Sequence, residues 1–232
     1  MINYSLAGLA DPFSSLSHIV GACICIPGAV ALLRSTETRS HKIALTIFCF
    51  GCVFLLLASG VYHLLPLESS SRAVLQRIDH AAIFILIAGT FTPIHAIFFK
   101  GFWRWAPLTA IWTAAIFGII FKTIFFSHIP EMLSVSVYLG MGWSGVISGM
   151  LLWRQVGFEF VRPLLNGALW YSGGSLLDFF KEPILIRGII GPHELFHVAV
   201  LFGIMYHWKF IREVIRHHAD NTVNKSIVPL SK

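Results

Sequence analysis

The chain has 232 residues, of which 56% are hydrophobic and only 12% are charged, and its mean hydropathy is +0.76. Soluble domains carry about 25% charged residues, so this composition excludes an ordinary soluble protein and predicts a membrane protein. The net charge of +6 does not indicate nucleic-acid binding, because the basic residues flank apolar stretches and form no surface for a duplex. We therefore expect membrane lipid, and no nucleic acid, as the partner.

Seven apolar stretches are long enough to cross a bilayer, which takes about 20 residues for a helix. They lie approximately at residues 16–34, 43–65, 78–99, 105–126, 132–153, 161–180 and 189–210. Together they leave no room for a soluble domain. The predicted fold is therefore all-α, a single polytopic membrane domain over residues 1–232 with seven transmembrane helices and short tails at 1–15 and 211–232.

Prolines predict where several of these helices begin or bend. Pro107, Pro130 and Pro192 lie near helix starts, where the missing N–H costs nothing. Pro93 lies inside the third stretch, and we expect it to kink that helix.

The distribution of Lys and Arg predicts the orientation. With seven spans, the N-terminal side of the membrane carries five basic residues and the C-terminal side carries twelve. The five are Arg72, Arg77, Lys122, Lys181 and Arg187, and Lys122 lies within the fourth stretch, where it is expected to extend to either surface. We expect the protein in the cell (inner) membrane. The positive-inside rule then places its C-terminus in the cytoplasm.

The most informative motif is a pair of histidines, His193 and His197, at the start of the last apolar stretch. Positions i and i+4 of a helix lie on one face, one turn apart, so the two imidazoles form half of a metal site. Ionisable groups inside membrane helices are costly and are functional candidates by default.

Depth in the membrane selects the other members of this site. His63 ends the second stretch and Asp79 begins the third, so both are expected at the same depth as His193 and His197. Three imidazoles plus a water form the open tetrahedron of catalytic zinc, with Asp79 holding the water and accepting its proton. Ser59 lies one turn from His63, where it would make a supporting hydrogen bond.

Each of these residues also has a simpler interpretation. Ser59 could bond back to a helix carbonyl, Asp79 could be a helix N-cap, and His63 alone could be an interfacial histidine. The four cysteines lie within apolar stretches, where a disulfide or thiolate site is conceivable but a role as small hydrophobes is favoured.

The remaining histidines are expected outside the site. His95 and His207 lie roughly 24 Å and 21 Å along their helices from Asp79 and His193, so headgroup contacts are the preferred interpretation. His80 points about 100° away from Asp79 and is expected to pack, whereas His18 has the right depth for a supporting role.

Three segments resemble the haemolysin III family, the bacterial branch of the progestin and adipoQ receptors, in the superfamily that includes alkaline ceramidases. They are Leu57-Ala-Ser-Gly-Val-Tyr-His63, the stretch from Arg77 to Pro93, and Gly191-Pro-His-Glu-Leu-Phe-His197. The match is collinear and its motifs are specific: Ser-x-x-x-His, an Asp, and His-x-x-x-His.

The resemblance implies seven helices around a buried zinc. It assigns His63, His193 and His197 as ligands, Asp79 as the acid that holds the water and Ser59 as the supporting serine. The family usually has Glu and Asn ahead of a His near the N-terminus. His18 fits that pattern, whereas Asp11 and Ser14 replace the other two. Eukaryotic receptors of the family have the N-terminus inside, opposite to the charge count.

Three functions are compatible with these residues. The first is a zinc-dependent hydrolase of a lipid amide or ester, with a fatty-acyl or ceramide-like ligand entering between helices. The second is a non-enzymatic sensor, receptor or membrane-homeostasis protein, haemolysin-like, with a structural zinc. The third is an intramembrane protease, because His193-Glu194-Leu195-Phe196-His197 also fits His-Glu-x-x-His, with Asp178 as the nearest distant acid. Glu194 is expected instead to complement the helix dipole.

Overall fold

The computed structural model describes residues 11–186 and 189–227, with side chains to residue 220. The predicted N-terminal tail up to residue 10 lies outside the described residues, as do Arg187 and Lys232 of the charge count. Within them the chain is helical and contains no strand, which confirms the all-α polytopic prediction.

Seven helical segments follow one another along the chain. They are α1 (Pro12–Arg34), α2 (Arg39–Leu64), α3 (Ser70–Pro93) continued by a π-helix (Ile94–Phe98), α4 (Phe102–Ile124), α5 (Glu131–Trp143) continued by α6 (Val146–Val156), α7 (Phe158–Phe180) and α8 (Pro192–Ile227). Each contains one of the predicted stretches almost entirely.

Five of these segments, the first five, are long and apolar enough to cross a membrane by length and composition. The other two, α7 and α8, are not among these five; α7 carries Asp178 and α8 carries the His193/His197 pair. The candidate site draws on both groups of helices, because His63 lies on α2 and Asp79 on α3.

The structure agrees with the predictions for Pro130 and Pro192, gives a more specific form to the one for Pro93 and differs from the one for Pro107. Pro93 is followed directly by the π-helix Ile94–Phe98, so the expected distortion is a widened turn at the end of α3. Pro107 does not begin α4, because that helix starts five residues earlier, at Phe102, with Gly101 as its N-cap. Pro130 precedes α5 directly and Pro192 is the first residue of α8, as predicted.

The core lies between α1, α2, the end of α3 and α8. Its largest buried side chains include Phe48 and Leu45 of α2 and Phe210 and Ile211 of α8. In contrast, α4 and α5 expose many large apolar residues, as expected for helices that face lipid. The candidate site therefore lies within the better packed half of the bundle.

Small residues bring the helices of the site close together. A Cβ added to Gly60 would lie 2.7 Å from Ile19 of α1, and one added to Gly174 of α7 would lie 2.5 Å from the Ala199 side chain of α8. Ser15 reinforces the first contact by donating to the Gly60 carbonyl at 2.8 Å. These approaches hold α1 against α2 and α7 against α8 at the depth of the histidines.

Candidate metal centre

Three histidines from two helices bring one ring nitrogen each to a common point. His63 lies in the last turn of α2, and His193 and His197 lie one turn apart at the start of α8. Nε2 of His193 lies 3.3 Å from Nε2 of His63 and 3.0 Å from Nε2 of His197. These atoms all lie within 4.8 Å of one another, so the three residues form a group able to hold a metal ion.

The spacing and chemistry of these nitrogens fit zinc. Two nitrogens bound to one tetrahedral zinc at about 2.0–2.1 Å lie about 3.3 Å apart. A proton shared between two rings would satisfy one of the nitrogen pairs, whereas a single metal ion would accept all three lone pairs. The donor set of neutral imidazoles is also one that zinc prefers.

Carboxylates orient two of the three rings. His63 Nδ1 donates to Asp11 Oδ2 at 3.0 Å, and His193 Nδ1 donates to Asp178 Oδ1 at 3.3 Å. A proton fixed on Nδ1 leaves the lone pair on Nε2, which is the state that a metal ligand needs. The tautomers of His63 and His193 are therefore set for metal binding.

Asp11 is itself held in place just before α1. Arg72 donates to the same Oδ2 atom at 3.1 Å, and the Asp11 backbone N–H donates to the His63 carbonyl at 3.2 Å. Burial favours the neutral acid, but the hydrogen bonds and charges of His63 and Arg72 outweigh it and lower the pKa of Asp11. Asp11 thus stays ionised beside His63.

His18 supports the third ring from α1. Its Nε2 donates to the backbone carbonyl of His197 at 3.3 Å, and the two ring centroids are 4.1 Å apart. Both rings are almost fully buried. The supporting role expected for His18 is consistent with this contact.

Asp79 and Ser59 lie on the same cavity as the three histidines. Both Ser59 and His193 lie close enough to the Asp79 carboxyl to interact with it. Asp79 cannot be a helix N-cap, because α3 begins nine residues earlier, at Ser70. Its carboxyl is therefore available to the cavity, with Ser59 as its support.

Glu194 has a local structural role. Its Oε2 accepts a hydrogen bond from the backbone N–H of Gly191 at 2.8 Å, three residues back, at the start of α8. This is the reciprocal half of a capping box, which satisfies a free donor of the first turn. Asp178, the distant acid of the protease hypothesis, meets Nδ1 of His193, the ring nitrogen that points away from the other two histidines.

Several polar residues were predicted at the membrane surface and lie inside the bundle instead. His95 is buried, with Nδ1 donating to the Trp103 carbonyl at 2.7 Å and Nε2 accepting from Ser148 at 3.1 Å. His207 is buried and donates to the Gly203 carbonyl at 2.9 Å. Both headgroup predictions are wrong, because helices in this bundle turn these rings toward neighbouring helices.

Two further predictions concern His80 and Lys122. His80 packs edge-on against Phe126, with ring centroids 5.1 Å apart, in line with the predicted packing role. Lys122 does not extend to a membrane surface; it is buried and donates to Ser134 at 2.8 Å. The surface prediction for Lys122 is therefore wrong.

A cavity of about 890 Å³ connects the three histidines with the interior of the bundle. It reaches as far as His95 and His207, and residues from each of the helices α1 to α8 contribute to its lining. Much of its lining is apolar and includes Ile83, Leu86, Ile87, Phe91, Leu139 and Leu164. The arrangement is a polar site at one end of a long apolar space, which suits a molecule with a polar head and an alkyl chain.

The carboxylates beside the rings yield a prediction on metal affinity. Asp11→Asn and Asp178→Asn should each weaken zinc binding by about 10- to 100-fold. The neutral amide accepts the Nδ1 proton less strongly than a carboxylate does, so it no longer fixes the ring tautomer. Competition with a fluorescent zinc chelator measures this on purified protein. Glu159→Gln, at the exposed start of α7, is the matched control. Unchanged affinity in both Asp variants would contradict the supporting role.

The fold and the site together define a class: a polytopic helical membrane protein with a three-histidine group at one end of an internal cavity. A family model described as "Haemolysin-III related" matches residues 9–208. The chain therefore belongs to the haemolysin-III-related family, which confirms the resemblance seen in the sequence.

Individual relatives agree with this assignment. The chain is 31% identical to "Hemolysin-3 homolog" of Bacillus subtilis (strain 168), over 82% of this chain and 87% of that protein. It is 32% identical to "Hemolysin-3" of Bacillus cereus, over 82% of this chain and 84% of that protein. "Heptahelical transmembrane protein 4" of Arabidopsis thaliana is more distant, at 29% identity over 70% of this chain and 46% of that protein.

Proposed function

We propose that this protein is a zinc-dependent hydrolase that cleaves an amide or ester bond of a membrane lipid. The observation that carries the proposal is the convergence of three imidazole nitrogens on a largely apolar cavity that Asp79 also lines. His63, His193 and His197 would hold the ion, which when bound would polarise a carbonyl and lower the pKa of a water toward about 7.

The protein side chains supply the proton transfers of such a reaction. Asp79 accepts a proton as the water oxygen forms its bond to the carbonyl carbon. It then returns that proton to the leaving nitrogen or oxygen as the C–N or C–O bond breaks, so that a fatty acid and an amine or alcohol are released. Ser59, which lines the cavity beside Asp79, would help to orient the carboxyl.

The cavity explains why the substrate would be a lipid. Apolar side chains from α3, α5 and α7 line the space next to the histidines, so an acyl chain would replace water there favourably. Trp143, Val146 and Trp153, which line the cavity from α5 and α6, are also exposed side chains. A chain could therefore enter from the bilayer past these residues.

A second candidate function is a non-enzymatic sensor or receptor in which the metal is structural. It is favoured by the origin of the ligands, because one comes from α2 and two from α8, so a bound ion would fix these two helices to each other. Retention of zinc with no lipid turnover in purified protein would support it. Membrane lysis, which the names of the Bacillus relatives suggest for those proteins, has no separate support in the residues of this site.

The protease hypothesis is weaker than either of these. It requires Glu194 as general base, but that carboxylate is occupied by the Gly191 N–H at the helix start. It also leaves His63 and Asp79 without a role.

We further propose that the C-terminus faces the cytoplasm, with the zinc site near the outer face of the inner membrane. Twelve basic residues on the C-terminal side against five on the other should resist translocation of the tail. A reporter that fluoresces only in the cytoplasm should be active after Lys232, and a periplasm-specific reporter should be active near Ser70. An extracytoplasmic tail would contradict this orientation and place the site toward the cytoplasm.

A further inference from the structure

A buried lysine, Lys122, lies on the wall of the cavity. Lys122 belongs to the last turn of α4, which provides none of the three imidazoles, and its residue surface is only 7% exposed. Its Nζ donates to Ser134 Oγ of α5 at 2.8 Å and lies 4.7 Å from the centre of the Phe126 ring. Lys122, Ser134 and Phe126 all line the cavity.

This ammonium group has no carboxylate partner among the described residues. The nearest acid that acts on it electrostatically is Glu131, at the start of α5, and Glu131 forms an ion pair with Lys181 at 3.0 Å. The Glu131 side chain is also 56% exposed, so it is hydrated as well as paired. The other ionisable neighbour of Lys122 is His80, which cannot balance a positive charge.

Burying an ammonium without a counter-anion is costly, and proteins usually pair or solvate such groups. A hydroxyl and an aromatic ring compensate only part of the lost hydration. The Ser134 hydroxyl accepts from Lys122, which leaves its own proton as a second donor beside the ammonium. Together the two groups place two hydrogen-bond donors side by side on the wall of a largely apolar cavity.

We propose that Lys122 and Ser134 bind the anionic head, a carboxylate or phosphate group, of an amphiphile whose alkyl chain fills the apolar part of the cavity. The ammonium and the hydroxyl each donate to an oxygen of the head, and the chain lies along the apolar residues of α3, α5 and α7. The inference concerns binding only, and it holds whether or not the bound molecule is cleaved at the histidines.

The test measures binding of three probes with the same alkyl chain to the full-length protein in nonionic detergent. Hexadecyl phosphate and palmitate carry the two anionic heads, and hexadecanol is the neutral reference. We expect at least one anionic probe to bind about tenfold or more tightly than hexadecanol, and the stronger of the two identifies the head. The comparison is repeated after removal of metal by a chelator, because a bound ion would also attract anions.

Variants of Lys122 decide whether the preference arises at this residue. Lys122→Met and Lys122→Gln should reduce the ratio of anionic to neutral affinity to about one, with and without metal, whereas Lys122→Arg should retain most of it. Lys100→Met, an exposed lysine after the π-helix, is the control and should leave the ratio unchanged. Size-exclusion elution verifies that each variant is folded, and two neutral variants keep the test valid if one is not.

Three results would overturn the proposal. The first is a wild-type protein that binds the anionic and neutral probes equally. The second is an anionic preference that persists in the folded Met or Gln variant. The third is a preference that disappears with the metal while Lys122 is intact, which would assign anion binding to the histidine group instead.

Discussion

Replacing His193 and His197 together by alanine is expected to remove nearly all zinc from the purified protein, which in the wild type should carry about one ion per chain. Two of three converging nitrogens are lost, and the remaining His63 cannot hold the ion alone. Single replacement of His63, His193 or His197 should lower occupancy sharply as well. Metal content by inductively coupled plasma mass spectrometry measures the effect.

The same variants should also be less stable to heat. A bound ion ties α2 to α8, and a ligand that binds only the folded state adds to its free energy of unfolding. His128→Ala, which removes an exposed histidine between α4 and α5, is the control and should retain zinc and thermal stability. Full zinc occupancy in the His193→Ala/His197→Ala variant would remove the basis of the site.

Replacing Asp79 by asparagine is expected to abolish lipid hydrolysis while leaving most of the zinc in place. The amide keeps the size of the side chain but cannot accept a proton from water, and loss of a general base lowers rates by about 10²- to 10⁴-fold. Fatty-acid release from a panel of long-chain amides and esters, followed by mass spectrometry, measures the effect. The panel also tests whether the wild-type protein is a hydrolase at all.

Two further variants serve as comparisons for Asp79→Asn. Ser59→Ala should lower the rate less than Asp79→Asn, because Ser59 lies beside the carboxyl in the cavity but does not itself accept the proton. Glu194→Gln should have little effect on turnover, since the amide oxygen can still accept from the Gly191 N–H. Loss of activity in Glu194→Gln with activity retained in Asp79→Asn would favour the protease hypothesis.

The architecture could be predicted from the sequence because hydropathy marks the part of each helix that lies in the bilayer. The third stretch was placed at 78–99, and the helix runs from Ser70 to the end of the π-helix at Phe98. The last was placed at 189–210, and α8 continues to Ile227. Backbone hydrogen bonding continues into the polar region, where hydropathy gives no signal, so the helix ends were less accurate than their centres.

Depth along a helix was a good guide to which residues meet but a poor guide to which are buried. It predicted that His63, His193, His197 and Asp79 lie at the same depth in the membrane. In the structure all four residues line the same cavity. It placed His207 near a membrane surface, although the ring packs inside against Tyr171. Depth does not tell which way a side chain turns around its helix, and that depends on packing between helices.

The carboxylates that orient the rings could not be assigned from spacing. Asp11 lies 52 residues from His63 and just before α1, and Asp178 lies 15 residues from His193 at the end of another helix. Their only sequence signals were a partial match to a family pattern for Asp11 and an acid at the end of an apolar stretch for Asp178. Both become recognisable once α1 packs on α2 and α7 on α8.

X-ray absorption at the zinc edge of the purified wild-type protein tests the central claim most directly. It identifies the metal and reports the atoms that surround it, independently of any activity. We predict one zinc with three imidazole nitrogens at about 2.0–2.1 Å, a further light atom such as a water oxygen, and no sulfur. A sulfur ligand, fewer than three imidazoles, or absence of metal in protein purified without chelator would contradict the account.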